Sequence, residues 1–96
     1  MDSKSLNHIE LTNFWEEVCK LNRLTSNDYR ILFELALHGE STQKKLCAKR
    51  HWKVSSVSNT VRKLEMLQLV NTRAEQGSIY YFVNKNFKAT EEMDGD

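Results

Sequence analysis

Two segments with the apolar spacing of helices, TQKKLCAKR (42–50) and VSSVSNTVRKLEMLQ (54–68), are separated only by HWK (51–53). So short a connection forces the helices to cross steeply, as in a helix-turn-helix. In the first, Leu46 and Cys47 are the expected buried pair and Ser41 the expected N-cap. The second is expected from about Ser55 to Gln68. Val57, Val61 and Leu64 mark its inner face, which Leu67 or Leu69 completes. Its beginning is odd. Ser55, Ser56, Ser58 and Asn59 stand among valines and a threonine, all weak helix formers. Short polar side chains there serve something other than helix propensity.

The flanking sequence supplies the remaining elements. Leu11, Phe14, Trp15, Val18 and Leu21 form a helical stripe between Leu6 and Leu24, with Glu16, Glu17 and Lys20 opposite. Thr25 with Asp28 reads as a capping box. Tyr29, Leu32, Phe33, Ala36 and Leu37 then recur at i, i+3, i+4, i+7 and i+8 as a core face, and Gly39 stops the helix. After Leu69, LVNTRA and SIYYFVN have strand composition around the turn EQGS, where Gly77 is free to take positive φ. The order specifies a mainly α chain with a small β-hairpin wing, an α+β winged helix-turn-helix. The expected division is an N-terminal, dimerising helix in 1–24, a winged domain in 25–87 and an acidic, disordered tail in 88–96.

Charge is unevenly placed. Of 96 residues with net charge +1, residues 40–65 hold seven cations (Lys44, Lys45, Lys49, Arg50, Lys53, Arg62, Lys63) against Glu40 and Glu65, while both flanks are net acidic. A basic segment coinciding with the serine-rich helix is an electrostatic footprint for phosphate. Other classes find little support. No apolar run approaches the roughly 18 residues of a membrane span, and MDSKSLNHIE lacks the pattern of a signal peptide. Cys19 and Cys47 form no CxxC, and His8, His38 and His51 no ligand spacing with them, so no metal or cofactor is expected. No Gly-rich phosphate loop or nucleophile motif suggests an enzyme. The expected location is the cytoplasm, with reduced thiols.

Ser55, Ser56, Val57, Ser58, Val61, Leu64, Glu65, Leu69 and Val70 stand where the recognition helix and wing of MarR-type regulators carry small polar, Val, apolar, Leu-Glu and Leu-Val residues. From Ser41 to Val83 the chain resembles these bacterial and archaeal winged-helix proteins. It departs at Lys53, where a serine cap is usual, and at His51, where a turn glycine is usual. Arg50 and Trp52 stand in place of aliphatics, and Gln68 in place of the glycine that ends the recognition helix. The residues after the wing are too few for the long C-terminal dimerising helix of the MarR type and its ligand chamber, so no small-molecule ligand is expected.

The resemblance implies double-stranded DNA as partner, and it answers the serine question. A helix entering the major groove brings its first turns against base edges, and short side chains let it approach. Asn59 suits an adenine edge and Arg62 a guanine edge or a phosphate. Ser55, Ser56 and Ser58 complete the helix contact, with Lys53 and Lys63 on phosphate. Ser41, Thr42, Lys44 and Lys45 reach the backbone from the preceding helix, as Lys49 would. Arg73 gives the wing a weak contact beside Glu75. Leu6, Ile9, Leu11, Phe14, Trp15 and Val18 are the candidate homodimer interface. The expected function is sequence-specific regulation of transcription as a dimer. A plasmid or viral origin or centromere binder is the variant, and a winged-helix protein-interaction module is the rival class.

Overall fold

A computed structural model describes residues 5–89, the side chain of Arg50 excepted. Helix α1 (His8–Val18) begins at a capping box in which the Asn7 side chain accepts from Glu10 N–H at 2.8 Å and Glu10 Oε1 accepts from Asn7 N–H at 3.1 Å. It is shorter than the expected 6–24, because Asn7 fixes its start and the chain leaves helical geometry after Val18. Helix α2 (Ser26–His38) carries the expected Thr25–Asp28 box and ends at Gly39, with φ 88°. Helices α3 (Gln43–Arg50) and α4 (Val54–Met66) form the tight pair.

The wing is an antiparallel hairpin of β1 (Val70–Glu75) and β2 (Ser78–Val83), in register from Val70↔Val83 to Glu75↔Ser78. Gln76 and Gly77 both have positive φ, 51° and 82°, as a two-residue hairpin turn twisted with its strands requires. Ser41 is not the α3 cap. Its N–H and C=O exchange hydrogen bonds with Tyr81 at 3.0 and 2.8 Å, so it extends the wing sheet, and Thr42 caps α3 by accepting from Lys45 N–H at 3.2 Å.

One core holds these elements. Phe14, Val18 and Leu21, Ile31, Leu32 and Leu35, Leu46, the expected Val57, Val61 and Leu64 of α4, then Leu69, Val70, Tyr81, Val83 and Phe87 are all buried. Phe87 meets Phe14 edge-on at 6.5 Å, and Ala89 N–H donates to Glu17 Oε1 at 3.0 Å, which docks residues 87–89 on α1. The rest of the acidic tail lies outside the described residues. The α1 stripe is therefore largely spent inside the subunit. Phe14 and Val18, 1% and 0% exposed, leave the set of interface candidates because they are buried in the subunit's own core, Phe14 against Phe87.

Helix α2 buries Leu32 and Ala36 of its expected face and turns the rest of that face outward. Phe33 and Leu37 are exposed, at 46% and 40%, and Tyr29 is half-buried, while Ile31 and Leu35 fill the core. Both stripes are apolar at helical spacing. The inner one is completed by Asp28 and Glu34, both buried, which hydrophobicity alone would not place inside.

The two departures in turn chemistry are visible in the backbone. His51 and Gln68 take left-handed φ of 58° and 67°. At the end of α4, Leu69 N–H donates to Leu64 C=O and Gln68 N–H to Glu65 C=O, each at 2.9 Å, a Schellman closure that favours glycine at Gln68. A left-handed side chain costs roughly 1–2 kcal/mol, and glycine returns part of that as unfolded-state entropy. Gln68→Gly should therefore stabilise the fold by about 0.5–1 kcal/mol, raising the thermal midpoint by a few degrees in calorimetry. An unchanged or lowered midpoint would show that the Gln68 side chain itself holds the turn.

Candidate nucleic-acid interface

Helix α4 turns Val57, Thr60, Val61 and Leu64 inward. The opposite stripe, at i, i+4 and i+7, is Ser55, Asn59 and Arg62, all exposed. Ser58 flanks this stripe, with its Oγ 3.5 Å from Arg62 Nη2. Ser56 lies on the other flank, in a cleft shared with Asn27, His51 and Trp52. The N-cap of α4 is Lys53, which gives no side-chain cap, and the first turn carries no acid. Its first N–H groups thus have no side-chain cap, and the helix dipole there favours an anion.

Helix α3 adds Lys44 and Lys45, exposed and without an ion pair among the described residues, as is Lys53. Ser41 and Thr42 serve the chain instead, one bridging to β2 and the other capping α3. Gln43 Nε2 donates to Tyr81 Oη at 2.9 Å and fixes α3 against the wing.

Three expected phosphate cations are differently engaged. Lys63 Nζ lies 2.6 Å from Asp28 Oδ2 and 2.9 Å from Arg23 C=O, behind α4. Lys49 Nζ lies 2.7 Å from Glu34 Oε2. Arg73 donates to both Glu40 oxygens, at 2.8 and 2.6 Å, and to Glu75, and its guanidinium lies 4.5 Å from the Tyr80 ring centre. These partners, Glu40 first and then Glu75, hold the Arg73 charge more firmly than usual.

Sequence reasoning missed Asp28 and Glu34 as partners. The signal was present: with Ile31, Leu32 and Leu35 they occupy core spacing on α2. An acid at a core position calls for a cation, because an unpaired buried charge is too costly.

The wing follows from the same bonds. Arg73 ties β1 to Glu40 in the α2–α3 connection and so sets the hairpin angle. Arg73→Ala should speed amide hydrogen exchange across Val70–Val83 while α4 stays protected. Equal protection in variant and wild type would mean that the strand pairing alone holds the wing.

Among the described residues no three His, Cys, Asp or Glu side chains converge as a metal centre requires, and no helix is long and apolar enough to cross a membrane. In comparison with known proteins, the model described as MarR family matches residues 24–77, more than half of the chain. No curated protein matches it. The matched segment runs from the start of α2 to the wing tip and contains the whole outward stripe of α4.

Proposed function

The chain belongs to the MarR family of winged-helix DNA-binding transcription regulators, and on that premise we propose that it binds a specific duplex sequence as a homodimer, with α4 in the major groove. The observation that carries the proposal is the outward Ser55, Asn59, Arg62 stripe of α4, with Lys44, Lys45 and Lys53 exposed and without an ion pair among the described residues. Asn59 reads a base edge, and Arg62, the lysines and the α4 N-terminus hold phosphates.

Four cations per protomer (Lys44, Lys45, Lys53, Arg62) give a salt dependence that can be calculated. At about −0.9 per phosphate, the slope of log affinity against log salt is roughly −7 for two protomers, a loss near 10⁴-fold between 50 and 200 mM salt. Lys44→Ala with Lys45→Ala should make that slope shallower by roughly 3.6 on any duplex. Asn59→Ala should instead cost about 1–3 kcal/mol on the preferred sequence and little on a scrambled one. Selection from random duplexes followed by titration of these variants is the test. No enriched sequence would favour a protein-interaction module, and equal losses on both duplexes would remove Asn59 as a base reader.

The dimer rests on a second surface. Leu11 and Trp15 of α1, Cys19 just after it and Phe33 of α2 line one open apolar groove, and exposed Leu37 lies one turn on from Phe33 along α2; Trp15 meets Phe33 edge-on at 5.8 Å. Exposed Glu16 borders it on α1 and exposed Arg30 on α2, neither ion-paired among the described residues. A two-fold axis along the groove sets the Glu16 edge of each copy against the Arg30 edge of the other, so the surface is self-complementary. Deleting α1 is an unsuitable test because it opens the core. Phe33→Glu should leave the fold intact, give a monomer in sedimentation, and abolish tight binding to a two-half-site duplex. A variant that sediments like the wild type as a dimer would move the interface elsewhere.

A further inference from the structure

Two buried carboxylates project from α2, and each holds a lysine from a different helix of the tight pair. Asp28, 3% exposed, takes Lys63 of α4 at 2.6 Å, and Glu34, 4% exposed, takes Lys49 of α3 at 2.7 Å. Asp28 is also held by its own cap: its Oδ2 accepts from Thr25 N–H at 2.8 Å. Lys63 is shared with the Arg23 carbonyl, so one ammonium joins α4 to both the α1–α2 connection and the first turn of α2. The exposed side of α2 meanwhile carries Phe33 of the apolar groove, and Leu37.

We propose that Asp28–Lys63 and Glu34–Lys49 are positioning pairs that set the angle of α3 and α4 against α2, and thereby the fit of the α4 stripe to its base sequence. The proposal rests on the DNA-binding reading and assigns Lys49 and Lys63 a role other than phosphate contact. Pairs of a buried carboxylate with a partly exposed lysine contribute little net stability, but they restrict where the two helices can sit, most sharply at Lys63, which donates both to Asp28 and to the Arg23 carbonyl. The hydrophobic contact of Val57, Val61 and Leu64 is non-directional and opposes a small slide only through packing. A hydrogen-bonded ammonium at 2.6 Å does not tolerate such a slide, since it loses both acceptors at once. The two pairs sit on different helices and oppose rotation of the helix pair about α2.

The two roles for these lysines predict different binding behaviour. A phosphate lysine binds every sequence and releases a counterion; a positioning lysine does neither. Lys63→Met and Lys49→Met, titrated against preferred and scrambled duplexes from 50 to 200 mM salt, separate them. Thermal unfolding supplies the folded fraction used to normalise affinity.

The expected result for each variant is a loss of roughly 10–100-fold on the preferred duplex, the scale of one misplaced base contact. The scrambled duplex and the salt slope should be unchanged, and Lys63→Arg should restore much of the preference. Asp28→Asn, which leaves Lys63 in place without its anchor, should lose the same preference. A slope shallower by about 0.9 per protomer with equal losses on both duplexes would overturn the proposal and return these lysines to phosphate. So would Asp28→Asn binding all duplexes more tightly, as a released cation would. A wild-type chain with no affinity for any duplex removes the DNA-binding reading, and the proposal with it.

Discussion

Helix α2 packs on α4, and Ile31, Leu32 and Leu35 share one buried cluster with Val57, Val61 and Leu64. Burial of six such side chains is worth on the order of 10 kcal/mol as an upper figure, comparable to the whole net stability of a domain this size. The rest of the molecule is arranged around that contact. Helix α1 and Phe87 close one end of the cluster, Leu46 and the wing the other. What faces solvent on α4 is fixed by what α4 gives to this core: with Val57, Thr60, Val61 and Leu64 inside, Ser55, Asn59 and Arg62 have only the opposite side to occupy.

The apolar contact provides stability without much orientation, and the ion pairs do the reverse. Asp28–Lys63 and Glu34–Lys49 are each near break-even in free energy once desolvation is counted. The geometric demand of Lys63, hydrogen-bonded to Asp28 and the Arg23 carbonyl, is sharp all the same. Arg73 does the same for the wing through two hydrogen bonds to Glu40 and one to Glu75. Three cations that would otherwise face solvent thus set the relative positions of α2, α3, α4 and β1.

That division explains what was legible in the sequence. Caps and turns depend on residues within four of one another, so the Thr25–Asp28 box, the Gly39 stop and the Gly77 turn were readable. The inner face of α4 was readable because its other positions are polar. On α2 the same method placed Leu32 and Ala36 correctly but not Phe33 and Leu37, since Tyr29, Phe33 and Leu37 form an apolar stripe as regular as the buried one. The choice between them was made by Lys63 and Lys49, 35 and 15 residues away from their acids. Ser41 was likewise read as a cap because its partner, Tyr81, lies 40 residues on. For a charged residue, burial depends on a distant partner; the spacing of Asp28 and Glu34 with Ile31, Leu32 and Leu35 signals the position but does not name the lysine.

The same bonds bear on how a DNA-binding surface of this size would work. Residues 40–65 carry seven cations in the sequence. Two are turned back to α2, and the wing arginine beyond them is held by two glutamates. Four phosphate contacts from one protomer amount to weak, nonspecific affinity at physiological salt, and a wing locked against its own acids adds no minor-groove reading. One α4 stripe spans only a few base pairs. On the proposed reading the chain has therefore committed to orientation some of the charge that another arrangement would spend on phosphate, and it recovers affinity by doubling. The apolar groove of Leu11, Trp15 and Phe33 lies on the side of α2 away from the α2–α4 contact. A second copy docked there leaves both α4 stripes exposed, and the geometry linking the two stripes passes through α2 and its buried acids.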